Sequence, residues 1–98
     1  MVEIFYVYSP NCTKCEWASY TLDCAIKRTG IECNLRKFKF DPELDDNHPD
    51  NAAAIAICAK NGIEETPGFV IGKSSKHVFV GVSYTEDDIV TAIKAESN

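Results

Sequence analysis

Apolar residues cluster in short blocks along this chain, and the spacing within each block differs. Residues 2–8, Val-Glu-Ile-Phe-Tyr-Val-Tyr, are dense in β-branched and aromatic types and stop at Ser9-Pro10-Asn11, a turn signal. This block predicts a buried first strand. Residues 12–29 change period: Cys15, Ala18, Leu22, Ala25 and Ile26 recur at helical spacing. Asn11 is the expected N-cap and Gly30 the expected stop.

Residues 33–40 alternate towards their end, with Phe38 and Phe40 inward and Lys37 and Lys39 outward, which predicts a second strand. After a polar loop holding Pro42, Asn47 and Pro49, residues 50–61 predict a helix. Its alanine-rich sequence is apolar on most sides, so it is expected to be well covered, and Gly62 ends it. Phe69-Val70-Ile71 predicts a third strand. Gly72 to Lys76 is long enough for a hairpin turn, and His77 to Val80 returns antiparallel. Thr85-Glu86-Asp87-Asp88 has the form of a capping box, opening a last helix over residues 86–96.

The predicted order is β-α-β-α-β-β-α. The first two strands, joined through a helix, run parallel, and the last two form a hairpin. The expected fold is α/β: a four-stranded mixed sheet with helices on both faces. A length of 98 residues accommodates one domain, residues 1–98.

Charge narrows the function. The net charge of −5 disfavours nucleic acid, because phosphate binding needs a surplus of Lys and Arg. No apolar run approaches the roughly 20 residues that span a bilayer, so no membrane association is expected. The start is apolar but short and acidic, unlike a secretory leader. Five cysteines are an odd count for a secreted disulfide scaffold. Reduced thiols in the cytoplasm, in a monomeric protein, are the expectation.

Only Cys12 and Cys15 are close in sequence. Cys12-Thr13-Lys14-Cys15 sits where the first strand meets the first helix. A thiol there faces unpaired backbone N–H groups and the positive end of the helix dipole, which favour the nucleophilic thiolate. Lys14 adds a modest positive contribution. Cys15, one turn on and on the core stripe, is placed to close a disulfide while shielded from outside substrates. A zinc site would need two further ligands, and Cys33, Cys58, His48 and His77 form no second close pair. No metal and no bound cofactor are expected; the redox group is the Cys12–Cys15 disulfide itself. Cys24, Cys33 and Cys58 are expected to be idle or packing thiols. Trp17 either joins an apolar rim with Tyr8, Pro10 and Tyr84 or covers the sheet edge.

With these residues in place, the sequence resembles the thioredoxin superfamily, in a glutaredoxin-sized form. Pro67, ahead of a buried strand, is similar to the family's cis-proline. Residues 59–67, Ala-Lys-Asn-Gly-Ile-Glu-Glu-Thr-Pro, resemble the approach to it. Lys37-Phe38-Lys39-Phe40-Asp41 resembles the end of the second core strand, where Lys37 matches a lysine near the active site. Val80-Gly81-Val82-Ser83 resembles the thioredoxin ending. Tyr6 falls near the family's buried aspartate. The resemblance implies a thioredoxin-like fold and a thiol–disulfide oxidoreductase acting on disulfide-containing client proteins. It implies thioredoxin reductase or glutathione as electron donor. A client peptide or glutathione would lie beside Cys12 and bond to the backbone of Thr66, with Pro67, Lys14 and Tyr8 around it. Three other readings stay open: a glutathione-dependent glutaredoxin, an iron–sulfur or metal-binding module of the same fold, and a degenerate fold used for protein contact.

Overall fold

In a computed structural model, described here for residues 1–73 and 77–97, the elements follow the expected order. They are β1 (Val2–Tyr8), α1 (Thr13–Thr29), β2 (Cys33–Lys39), α2 (Pro49–Asn61), β3 (Gly68–Ile71), β4 (His77–Val80) and α3 (Glu86–Glu96). The sheet order is β2-β1-β3-β4. β1 pairs parallel with β2 and antiparallel with β3, and β3 pairs antiparallel with β4. The expected turn over Gly72 to Lys76 falls largely on residues 74–76, outside the described residues.

Strand alternation divides the core into two layers. Val2, Ile4 and Tyr6 point to the side where α1 and α3 pack together. There they join Ala18, Leu22, Phe69, Ile71, Ile89 and Ile93 in one buried cluster. Val7, Val70 and Ala54 are buried outside that cluster, on the α2 side. β1 is therefore covered on both faces, which explains its nearly continuous apolar sequence.

The caps are local and behave as their chemistry dictates. Gly30 and Gly62 terminate α1 and α2 in the left-handed region, at φ 67° and 70°. Thr85 and Asp88 form the reciprocal capping box on α3. At the other end of α2, Pro49 occupies the first turn, and His48, expected in a loop, is the N-cap. Its Nδ1 accepts the Asp50 N–H at 3.3 Å.

Two expectations are overturned. Asn11 does not cap α1; it adopts φ 55°, and Cys12 is the cap. Asparagine is favoured both at caps and in the left-handed region, so the residue type alone does not separate the two. The second concerns α2, which is not well covered. Only Asn51 and Ala54 are buried, and Ile55 is 38% exposed. Alanine promotes a helix through propensity without needing burial.

Among the described residues, no helix is long and apolar enough to cross a membrane.

Candidate functional site

The site begins where β1 runs out. Ser9-Pro10-Asn11 turns the chain, and the left-handed Asn11 delivers Cys12 in extended geometry (φ −122°, ψ 105°) to the start of α1. Its carbonyl accepts the Glu16 N–H at 3.2 Å. Its Sγ accepts the Cys15 N–H at 3.1 Å, as a cap side chain does. A disulfide or thiol sulfur is a weak acceptor. A thiolate in the same place gains charge-assisted bonding and the helix dipole. The cap geometry therefore stabilises Cys12 most when it is reduced and ionised.

Cys12 and Cys15 form a disulfide, with Cα atoms 5.2 Å apart. The two are unequal. Cys12 is half-buried, whereas Cys15 is only 4% exposed. The Tyr6 hydroxyl donates to the Cys15 carbonyl at 2.6 Å and ties the first turn of α1 to β1. Burial, then the neighbouring Tyr84, Tyr8 and Asp23, push the Tyr6 phenol well above its ordinary range. It thus stays a donor through any physiological pH.

The other sequence-chosen residues are distributed as follows. Tyr8 is half-buried, stacks on Tyr6 at 5.6 Å, and lines a cleft of about 610 Å³ with Cys12, Cys15 and Lys37. Lys37, on β2, stands directly across from Tyr6 in the sheet register. Lys14 is exposed and lines neither this cleft nor the groove beside Thr66. The Thr66–Pro67 peptide is cis, and Pro67 is buried. Thr66 and Ser9 join their hydroxyls at 2.9 Å, which links the proline loop to the turn before Cys12. The Pro67 carbonyl accepts the Gly81 N–H at 2.8 Å. Thr66 and Ser9 also border an apolar groove with Ile55, Cys58 and Ile63.

The rim expected around Trp17 splits in two. Trp17 packs on Tyr84 at 5.4 Å, within a cluster that includes Phe69 and Phe79, while Tyr8 and Pro10 line the cleft at the disulfide. Cys24, Cys33 and Cys58 are free and half-buried. Burial pushes the Cys33 and Cys58 thiols up. Among the described residues, no group of three or more His, Cys, Asp or Glu side chains is placed to hold a metal ion.

Sequence reasoning missed the brace from Tyr6 and the cleft position of Asp23. The first carried a faint signal, a phenol at an inward strand position. The second carried one in spacing, since Cys15, Ser19 and Asp23 recur every four residues along α1.

No protein-family model matches this chain, and no curated protein matches it. Solved structures do. Thioredoxin from Aeropyrum pernix is 22% identical, with a TM-score of 0.68 over 96% of this chain and 73% of that one. A malaria parasite thioredoxin-2, described as a component of the protein secretion machinery, is 18% identical, with a TM-score of 0.64 over 97% and 82%. DsbF of MTB, solved in mixed oxidized and reduced forms, is 13% identical, with a TM-score of 0.60 over 96% and 79%. The chain has the thioredoxin fold. It carries a Cys-x-x-Cys disulfide at the N-terminus of the first helix of that fold.

Proposed function

We infer that the chain is a thiol–disulfide oxidoreductase that reduces protein disulfides through Cys12 and Cys15. The observation carrying this reading is the cap: the Cys12 sulfur receives the Cys15 N–H at a helix start, while its partner sulfur is buried behind it. The Cys12 thiolate attacks one sulfur of a client disulfide and forms a mixed disulfide, releasing the other client sulfur as a thiol. Cys15 then gives up its proton and attacks the Cys12 sulfur. The second client thiol leaves, and two electrons have passed from the protein to the client. The resulting Cys12–Cys15 disulfide needs an external dithiol or thiol, thioredoxin reductase or glutathione, to regenerate it. A monomer in a reducing compartment such as the cytoplasm suits this cycle.

Reduction of a protein disulfide such as that of insulin, followed by turbidity with a small dithiol as donor, tests the reading. Cys12→Ser is expected to abolish turnover. Cys15→Ser is expected to stop at the mixed disulfide, visible as a client adduct on mass spectrometry. Equal residual turnover in both variants would contradict the division of labour.

A further inference from the structure

β2 ends the sheet order, so only its β1 side is paired. The Val2 N–H donates to the Glu32 carbonyl at 3.0 Å, and the Phe40 N–H donates to the Tyr8 carbonyl at 2.8 Å. Backbone groups alternate sides along a strand, so those of residues 34, 36 and 38 also face β1. The N–H and C=O groups of Cys33, Leu35, Lys37 and Lys39 face outward, and among the described residues no other backbone reaches them. Cations concentrate on the same stretch. Of the chain's ten Lys and Arg residues, Arg36, Lys37 and Lys39 stand within four positions, all exposed, although the net charge is −5. Arg36 is oriented by stacking, its guanidinium 5.4 and 5.6 Å from the Phe5 and Phe38 ring centroids. Among the described residues, none of the three cations forms an ion pair. Asp50 borders a depression with Lys37 and Lys39 but pairs with neither, and Glu3, on the Arg36 face, accepts from Asn34 at 2.9 Å. The opposite edge, β4, is four residues long and carries no Lys or Arg.

We propose that the outer edge of β2 takes up an extended acidic segment of another protein as a fifth strand. Main-chain bonds to residues 33, 35, 37 and 39 supply the affinity, and charge selects the partner. Carboxylates two residues apart face Lys37 and Lys39 on one side of the sheet. A third, on the other side, faces Arg36. The same cations exclude a second copy of the chain. Antiparallel self-pairing centred on residue 36, 37 or 38 sets Arg36 against Arg36, Lys37 against Lys37, or Lys37 against Lys39, and like charges directly opposite are destabilising. The edge is thus closed to self-association and open to a partner of opposite sign. The inference uses no redox step and stands apart from the oxidoreductase reading.

The probes are the capped peptide Ser-Asp-Val-Glu-Glu-Val-Thr and its reversed sequence, which together cover both strand directions. Each is titrated into the full chain, and amide hydrogen exchange is read by NMR. At a free peptide concentration ten times Kd, the amides of residues 33, 35, 37 and 39 are expected to slow by about tenfold, while those of 34, 36 and 38 hold their rates. Two further versions of the binding peptide carry N-methyl groups on alternate residues, in complementary sets. One set blocks the bonds to β2 and is expected to abolish binding; the other is expected to bind. Lys39→Gln and Arg36→Gln are each expected to weaken binding by about two- to fivefold, the scale of one exposed ion pair. Lys39→Glu is expected to recover binding when Lys replaces the facing acidic residue of the peptide. No protection of the alternate amides by either sequence, or equal binding of both methylated sets, would overturn the inference. So would protection of these amides that rises with protein concentration in the absence of peptide, which would assign the edge to a second copy.

Discussion

The Tyr6 hydroxyl holds the Cys15 carbonyl at 2.6 Å, so the strand preceding the site braces the first turn of the helix that carries it. The bond is buried, and the phenol remains protonated. Tyr6→Phe keeps the ring and its stack on Tyr8 but removes the donor, leaving a buried carbonyl short of a partner. A loss of about 1 kcal/mol in stability is expected from urea unfolding. The mixed disulfide in Tyr6→Phe should also resolve more slowly, because Cys15 is held less firmly. Unchanged resolution with reduced stability would confine Tyr6 to a purely structural role.

Asn51 is the buried polar side chain of the described core, and its amide is fully used. Oδ1 accepts the Asp41 N–H at 2.8 Å, and Nδ2 donates to the carbonyls of Asp41, Leu44 and Asp45 at 2.9, 3.2 and 3.2 Å. One side chain thus pins the loop between β2 and α2. Asn51→Ala should cost about 2–4 kcal/mol, since it strands several backbone groups at once. Asn51→Asp gives a test with a sign. Beside three carbonyls and out of water, the new carboxyl is held above its unfolded value. The folded state then binds more protons than the unfolded state, so the stability gap to wild type widens as pH rises from 4 to 7. A gap that narrows over that range would contradict the assigned bonds.

What the sequence disclosed was local, and what it concealed was assembled from distant parts. β1, Gly30, Gly62 and the Thr85–Asp88 box were legible because a few neighbouring residues determine each. The Cys12–Cys15 pair was legible because both the spacing and the strand-to-helix junction lie in one short segment. Cys12 as its own cap was not, because Asn11 satisfies the preference for a cap and for a left-handed residue equally well. The open face of α2 was hidden because alanine signals helix without signalling burial. The charge arrangement of the cleft was hidden for a third reason. Lys37 lines the same cleft as Cys12 and Asp23 only because the parallel pairing of β1 with β2 places it across from Tyr6, beside the helix that follows β1.

The α3 cap offers a measurement of cooperativity. The Thr85 hydroxyl accepts the Asp88 N–H at 3.2 Å, and an Asp88 carboxylate oxygen accepts the Thr85 N–H at 2.9 Å. Thr85→Ala and Asp88→Ala should each cost about 1 kcal/mol. Because the two bonds support one local geometry, the double variant should lose less than the sum. Additive losses would show that each bond acts alone.

Tyr84 supplies the opposite case, a buried polar atom with nothing to bond. Its ring sits among Trp17, Phe69 and Phe79, and its hydroxyl is buried with no hydrogen-bond partner among the described residues. Burial pushes this phenol up to about 12. Tyr84→Phe keeps the ring contacts and removes the unpaired group, so stability should hold or rise by up to about 1 kcal/mol at neutral pH. At alkaline pH the linkage has a definite sign. An unfolded tyrosine ionises near pH 10, whereas folded Tyr84 keeps its proton to about 12. The folded state therefore binds more protons over that interval, and wild-type stability falls as pH rises through it. Removing the phenol removes its share of that slope. Urea midpoints between pH 9 and 11 should fall less steeply for Tyr84→Phe than for wild type, with the remaining slope carried in part by Tyr6, which is raised by the same cause. Parallel slopes, or a variant clearly less stable than wild type at neutral pH, would mean that the Tyr84 hydroxyl has a partner.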